Sequence, residues 1–183
     1  MKNILTTVAM VVLTATFTKA QNTQHNYTKT TVPLQPVNSA QAANALADND
    51  KRIAVTYYDG LARPVQQIQY RHSPVLRDIV QYSEYDLLGR ESKQYLPYVD
   101  QQANMDYKTD PLTRQATFYK STARVARTAF PFLETVYDNS PLNRVVEQSA
   151  PGHDWQLGEG HTSQMGYGTN VLNEVRLWQE LAG

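Results

Sequence analysis

A short turn signature recurs along the chain and constrains its fold more than any other feature of the sequence. It opens with Tyr-Asp and closes with an Arg a few residues later. Three copies are Tyr58-Asp59 to Arg63, Tyr85-Asp86 to Arg90 and Tyr137-Asp138 to Arg144. A degenerate fourth copy, Asp110-Pro111-Leu112-Thr113-Arg114, lacks the Tyr, and the four Asp residues are spaced by 27, 24 and 28 residues. A period of about 20 to 50 residues is typical of repeat architectures.

The chemistry of this signature is that of a β-hairpin turn. An Asp side chain accepts a hydrogen bond from the backbone two residues on, which starts the turn. The residue before the Arg is expected to take a positive φ, which suits Gly89 and is tolerated by Asn143. Ala62 fits poorly, because a left-handed residue with a Cβ costs about 1 kcal/mol. We therefore expect the first copy to use a different turn, with Gly60 at the special position.

In each copy the Tyr ends one strand and the Arg opens the next, so the two lie close to each other across the turn. We expect the Arg either to stack on the ring or to pair with the Asp. A lone two-stranded hairpin is marginal in water, so successive hairpins must stack to complete a sheet and a core. The expected turn residues are Tyr58, Asp59, Arg63, Tyr85, Asp86, Gly89, Arg90, Tyr137, Asp138, Asn143 and Arg144.

Strand-like runs flank these turns, and they predict a mainly β fold of antiparallel hairpins, either an open sheet or a partial shell. The clearest run alternates Ile53, Val55 and Tyr57 with more polar neighbours. Residues 98–130 are less regular. The expected runs are 52–57, 65–71, 78–85, 90–96, 133–137, 144–149, 162–167 and 171–178.

The N-terminal region carries a targeting pattern. Lys2 precedes an apolar run from Ile4 to Phe17, and Thr18-Lys19-Ala20 offers small residues for cleavage, so residues 1–20 are expected to be a signal peptide. The run is too short for the roughly 20 residues of a spanning helix. Residues 21–50 are expected to be a flexible polar leader with a short helix near 40–47, and 51–183 a YD-repeat-like β domain truncated at its C-terminal end.

Charge and composition narrow the class of function. The 17 basic and 17 acidic residues give zero net charge, so nucleic acid is not an expected partner. The chain has no Cys, so no disulfide can stabilise it in an exported setting. Its twelve Tyr suit either core and cross-strand packing, which we favour, or a sugar-stacking strip. That set is Tyr57, Tyr58, Tyr70, Tyr82, Tyr85, Tyr95 and Tyr98.

Two further groups could carry chemistry, although no catalytic, cofactor or metal site is expected. His153, Asp154, Glu159 and His161 could form a metal or acid–base site, but glycines between them favour a polar surface loop with Trp155 packed beneath it. The basic residues Arg114, Lys120, Arg124 and Arg127 are expected to be a solvated face or a short helix rather than a binding patch.

Several phrases in order resemble the domain of unknown function that precedes the repeats in one branch of the secreted bacterial Rhs, or YD-repeat, proteins. They lie at 57–64, 85–98, 140–152, 153–155 and 173–178. The resemblance covers roughly residues 50–183, and Ala62 in the glycine position departs from it. It implies a long β-strand shell, often wrapped around a C-terminal effector such as a toxin, and it implies no catalytic residues for this part.

The leading hypothesis is a non-catalytic structural N-terminal module of an exported Rhs/YD-repeat protein that serves the cell surface or toxin delivery. The resemblance implies a secreted or cell-surface location in a Gram-negative-type bacterium, with downstream repeats of the same protein as partner. No transmembrane segment is expected after signal cleavage. A second hypothesis is an extracellular carbohydrate-binding or adhesive domain that binds surface glycans, and a third is a secreted hydrolase using the 153–161 loop.

Overall fold

The computed structural model describes residues 25–171, 174 and 176, which contain one open antiparallel sheet of nine strands. The mainly β class is thereby confirmed. The sheet order is β1-β2-β3-β4-β5-β7-β8-β9, and β6 pairs with β4 beside this path. The strands are β1 (Asn26–Pro33), β2 (Lys51–Tyr58), β3 (Pro64–Gln69), β4 (Ile79–Glu84), β5 (Lys93–Tyr95), β6 (Tyr98–Val99), β7 (Phe132–Tyr137), β8 (Val145–Gln148) and β9 (Ser163–Gln164).

Two α-helices accompany the sheet: α1 (Ala40–Ala45) and α2 (Pro111–Ser121). Helix α1 begins where the Ser39 hydroxyl accepts a hydrogen bond from the Ala42 N–H, which caps its first turn. This helix lies inside the range in which the sequence predicted one. No helix in the described part of the chain is long and apolar enough to cross a membrane.

The expected flexible leader is wrong for residues 26–33, because this segment forms edge strand β1. Its eight residues pair antiparallel with β2, from Asn26 opposite Tyr58 to Pro33 opposite Lys51. The segment is rich in Thr and carries β-branched residues that favour strands, while its polar side chains suit an exposed edge.

The core lies on one face of the central strands. In β2 the alternating side chains of Ile53, Val55 and Tyr57 are buried, as the period-two pattern predicts. Ile68 and Val80, on the next two strands, extend the same cluster. Tyr98 and Tyr119 close it from β6 and α2.

Three hairpins organise the sheet: β2–β3, β4–β5 and β7–β8. Neighbouring hairpins also pair antiparallel, through β3–β4 and β5–β7. All three turns therefore lie at the same end of the sheet. Of the fourth expected pair, only β9 is observed, and most of its second strand, 171–178, lies outside the described residues.

The degenerate fourth copy of the turn signature is not a turn between strands. Asp110 stands at the N-cap position of α2, and Pro111 is its first helical residue. Proline is favoured there because its missing N–H would have no helical partner in any case. The prediction of a fourth hairpin turn at 110–114 is therefore wrong.

Candidate functional site

The three turns share one set of hydrogen bonds, built around the Asp carboxylate. In the second turn, Asp86 Oδ1 accepts from the backbone N–H groups of Leu88 and Arg90, both at 2.9 Å. Asp86 Oδ2 accepts a hydrogen bond from Nε of Arg90 and forms an ion pair with its Nη2, both at 2.8 Å. The Asp therefore holds the backbone and the guanidinium together. Equivalent bonds join Asp59 to Leu61 and Arg63, and Asp138 to Ser140 and Arg144.

The residue before each Arg adopts the left-handed conformation. Its φ is 59° at Ala62, 78° at Gly89 and 51° at Asn143. The expectations for Gly89 and Asn143 are confirmed. The expectation that Gly60 replaces Ala62 at the special position is wrong. The hydrogen bonds of Asp59 impose the same turn on Ala62 despite its Cβ.

Ala62→Gly is expected to be neutral or to stabilise the fold by up to about 1 kcal/mol, because glycine removes the left-handed strain but adds entropy to the unfolded chain. The matched change Gly89→Ala should cost about 1–2 kcal/mol, since its φ is positive and a Cβ would lie 3.2 Å from Nη1 of Arg63. Urea unfolding of both variants checks this. A destabilising Ala62→Gly beside a neutral Gly89→Ala would contradict the shared geometry.

Each turn Arg also stacks on the Tyr of the following strand, not on the Tyr of its own turn. The guanidinium carbon of Arg63 lies 4.5 Å from the centroid of the Tyr85 ring, and that of Arg90 lies 4.5 Å from Tyr137. Arg144 repeats the contact with Tyr167 at 5.0 Å. The expected pairing with the Asp is confirmed, whereas stacking on the Tyr of the same turn is wrong. The stacking instead joins one hairpin to the next.

Strand register explains why these contacts recur. Continuing the β3–β4 pairing three residues beyond Gln66 and Tyr82 brings Arg63 opposite Tyr85. The same extension of β5–β7 and of β8–β9 brings each later Arg opposite the next Tyr. At the first hairpin, the place opposite Tyr58 is taken by Asn26 of β1. We call the three Arg–Tyr contacts the turn ladder.

Arg90→Lys is expected to cost about 1–2 kcal/mol, because an ammonium keeps the charge but loses the planar fork and the stacking. In a double-mutant cycle with Tyr137→Leu, we expect a coupling of about 0.5–1 kcal/mol. Arg52→Lys, at an exposed arginine of β2, should stay within about 0.5 kcal/mol of the wild type. Additive effects of the Arg90 and Tyr137 changes would contradict a stabilising ladder.

The turn carboxylates should make stability depend on acid pH. The Ser140 hydroxyl and the Arg144 guanidinium lower the pKa of Asp138 from 3.8 to about 2. Because the pKa of Asp138 is lower in the folded chain than in the unfolded chain, its ionised carboxylate stabilises the fold at pH values above the unfolded pKa. This stabilisation is lost as the pH falls towards 2. Asp138→Asn should therefore destabilise at pH 7, and the gap from wild type should narrow near pH 2. Urea midpoints at both pH values measure the gap, and an unchanged gap would refute this assignment.

The 153–161 loop does not gather its polar residues into one site. His153 Nδ1 lies 3.2 Å from Asp154 Oδ1 with both side chains well exposed, and His161 Nδ1 lies 2.8 Å from the backbone oxygen of Asp154. Within residues 25–171, 174 and 176, no group of three or more His, Asp or Glu could hold a metal ion. Trp155 was expected beneath the loop, but it is 51% exposed, so that expectation is wrong.

The tyrosine set divides between core and surface. Tyr57, Tyr95 and Tyr98 are buried, which confirms core packing for these three. The other four are partly exposed, and of these Tyr85 serves the turn ladder. The set therefore forms no continuous strip on one exposed face.

The basic run is also divided. Arg114 binds Asp100 and Asp110, whereas Lys120 lies in the last turn of helix α2, where a cation is favourable. Arg124 and Arg127 are exposed in the loop after the helix. Of the two expected alternatives, the short helix is confirmed for Arg114 and Lys120, and the solvated positions are Lys120, Arg124 and Arg127 but not Arg114.

A buried charge cluster lies beneath the central sheet and was not predicted from the sequence. Asp78 is 0% exposed, and Asp100 and Lys108 are each 2% exposed. Asp100 also receives Nη1 of Arg114 at 3.0 Å. Burial lowers the pKa of Lys108, and the two carboxylates oppose that shift. No periodic pattern in the sequence links these residues, which come from three separate segments.

Two side chains from the sheet bind the irregular segment that contains Lys108. Gln66 Nε2 donates to the backbone oxygen of Lys108 at 3.1 Å, and its Oε1 accepts from the Lys108 N–H at 2.8 Å. Tyr57 donates its hydroxyl to the backbone oxygen of Met105 at 2.8 Å. A sequence signal for Gln66 did exist, because strand alternation places it on the same face as Ile68.

Comparison with known families gives one match. A family model described as a domain of unknown function, DUF6443, matches residues 29–169, from within β1 to beyond β9. No curated protein matches the chain. The matched range includes all three hairpin turns and the buried cluster. Because the match extends over more than half of the 183 residues, the chain belongs to the DUF6443 family of domains of unknown function.

Proposed function

We propose that this chain is a non-catalytic structural module at the N-terminal end of an exported Rhs/YD-repeat protein that serves the cell surface or toxin delivery. Its partner is then the set of downstream repeats of the same polypeptide. The signal-peptide pattern at residues 1–20 supports export to the surface or exterior of a Gram-negative-type bacterium. N-terminal sequencing of the mature protein should begin at Gln21, and retention of Met1 would contradict cleavage.

The observation that carries the proposal is the turn ladder. Its contacts repeat between three pairs of neighbouring strands: β3 and β4, β5 and β7, and β8 and β9. The third contact, Arg144 on Tyr167, lies beside strand β9. Strand β9 has a paired neighbour on one side only within the described residues. An unpaired strand edge is a template for a further strand. Another hairpin with the same signature would continue both the sheet and the ladder.

Sequencing the coding DNA beyond the codon for Gly183 tests this function directly. Further in-frame units that begin with Tyr-Asp and close with Arg would support an entry module for a longer sheet. A stop codon with no such units beyond it would overturn the proposal. Poor solubility of the isolated chain is a second expected result, because an open sheet edge favours association.

A polar groove with a single charged group favours a second candidate function, the binding of uncharged surface glycans. The groove has a volume of about 470 Å³ and lies against the sheet face opposite the core. Amide and hydroxyl groups line it, together with one carboxylate, and such groups pair with sugar hydroxyls. Its lining residues are Thr56, Tyr58, Pro64, Gln66, Gln67, Gln81, Ser83, Glu91 and Gln94.

Calorimetric titration with a panel of neutral oligosaccharides tests this second candidate. Binding that is lost in Gln81→Ala and retained in Gln148→Ala, on the distant strand β8, would support it. If no sugar in the panel produced heat, glycan binding by this groove would be rejected and the structural module would remain the proposed function.

A further inference from the structure

The ammonium group of Lys108 is buried with too few hydrogen-bond partners. Its Nζ donates to Asn104 Oδ1 at 2.6 Å, but it lies 3.8 Å from Asp78 Oδ2 and 4.0 Å from Asp100 Oδ1. The last two distances are too long for hydrogen bonds. Burying these charges is costly unless the geometry of the pair is very good. The arrangement resembles an amine and a carboxyl group held side by side before they react.

We propose that Lys108 and Asp78 form an intramolecular isopeptide bond, an amide between Nζ of Lys108 and Cγ of Asp78, with Asp100 relaying the proton. Nζ of Lys108 lies 3.8 Å from the Oδ2 atom of Asp78, and near-attack geometry needs about 3–3.5 Å between the reacting atoms, so a small movement of the lysine side chain would bring the two groups to reacting distance. The proposal is independent of the family role proposed above.

The surroundings of Asp78 suit it as the electrophile. Its Oδ2 accepts the backbone N–H groups of Asn104 at 3.1 Å and Met105 at 3.0 Å, and its Oδ1 accepts that of Arg71 at 3.1 Å. Fixed N–H donors at a carboxyl oxygen stabilise the negative charge that develops there when an amine attacks the carbon. Because these donors are backbone groups in a buried site, they need no rearrangement as the charge develops.

The surroundings of Asp100 suit it as the base. Arg114 Nη1 binds both its oxygens, at 3.2 and 3.0 Å, and the Gln102 N–H binds Oδ1 at 2.8 Å. These contacts fix the Asp100 carboxylate with Oδ1 4.0 Å from Lys108 Nζ, so a small movement of the lysine side chain lets it accept a proton from the ammonium. Desolvation also favours the neutral amine of Lys108, which is the nucleophilic form.

The step balances without any further reactant. The Lys108 ammonium loses two protons, the first through Asp100, and its lone pair forms the new bond to Cγ of Asp78. The C–O bond to one carboxyl oxygen breaks, and that oxygen leaves with the two protons as water. One buried positive and one buried negative charge disappear, which removes the cost of keeping them ionised in the interior.

The amide bond would anchor a segment that contains no helix or strand to the start of β4. Asp78 immediately precedes β4, and Lys108 lies between β6 and α2, where residues 100–110 form neither helix nor strand. The chain has no Cys, so no disulfide can perform this task. A covalent bridge between distant segments stabilises a fold largely by restricting the unfolded chain.

The intact mass of the folded, purified protein tests the proposal. We expect the mass to be lower by one water molecule than that calculated from the sequence with its identified N-terminus. Protease digestion should yield one branched fragment that contains both Asp78 and Lys108. Lys108→Met and Asp100→Asn should each restore the full calculated mass, whereas Asp48→Asn, at an exposed ion pair with Arg71, should keep the deficit.

The wild-type measurement decides the matter even if the cluster variants fail to fold. A full calculated mass would overturn the proposal. A branched fragment formed with loss of ammonia instead of water would place the bond at Asn104, and water lost within a single unbranched fragment would indicate a succinimide. Either of these results would also overturn the Lys108–Asp78 bond.

Discussion

Replacing Asp78 with Ala is expected to destabilise the fold by about 3–5 kcal/mol, the largest effect that we expect from any polar substitution in this chain. The change leaves Lys108, only 2% exposed, without the nearer of its two buried acidic neighbours. It also leaves the backbone N–H groups of Arg71, Asn104 and Met105 without their acceptor. Urea unfolding at pH 7, followed by circular dichroism, measures the loss.

Asp48→Ala is the matched control for this prediction. Asp48 also pairs with a basic residue, Arg71 at 2.9 Å, but its side chain is 38% exposed. An exposed pair contributes about 0–1 kcal/mol, because water and salt screen it. Equal losses in the two variants would show that burial does not set the contribution of the Asp78 cluster.

Gln66→Leu is expected to cost about 2–4 kcal/mol, because both backbone groups of Lys108 lose their partners in a buried site. Gln66 is 1% exposed, and its amide matches the N–H and the oxygen of one peptide residue at once. Leucine is no smaller than glutamine, so the substitution opens no cavity and the loss reports the missing hydrogen bonds. Urea unfolding again provides the measurement.

Gln67→Leu supplies the control at the adjacent position. Gln67 lies on the same strand but on the opposite, exposed face. Its substitution should change the free energy of unfolding by no more than about 0.5 kcal/mol. If Gln66→Leu were equally mild, the irregular segment around Lys108 would not depend on the sheet for its position.

These two results bear on the proposed role as a structural module. The sheet is built from hairpins whose turns depend on local contacts. The segment between β6 and α2, in contrast, is positioned by hydrogen bonds with the side chains of Gln66, Tyr57 and Asp78. An entry module that receives further strands at β9 needs a rigid start. The buried contacts supply that rigidity on the side of the sheet away from β9.

The sequence by itself determined the hairpins. Turn chemistry is local: Asp86, Gly89 and Arg90 lie within five consecutive residues, and their hydrogen bonds form between close neighbours in the chain. Strand alternation is local too, and it correctly predicted which residues of β2 are buried. The mainly β class follows from these two features together.

Only the tertiary structure decided which segments meet. Residues 26–33 look like a polar leader, and they become a strand because β2 offers its free edge. Asp110 repeats the turn signature, yet Pro111 and the following good helix formers start α2 there instead.

The long-range contacts carry no local pattern at all. Arg63 stacks on Tyr85 because strand register brings them together, and Asp78 meets Lys108 although they lie thirty positions apart in the chain. The physical reason is that such a contact depends on where two separate segments pack. Neighbouring residues in the chain report only their own conformational preference, whereas packing depends on the free energy of the whole assembled core.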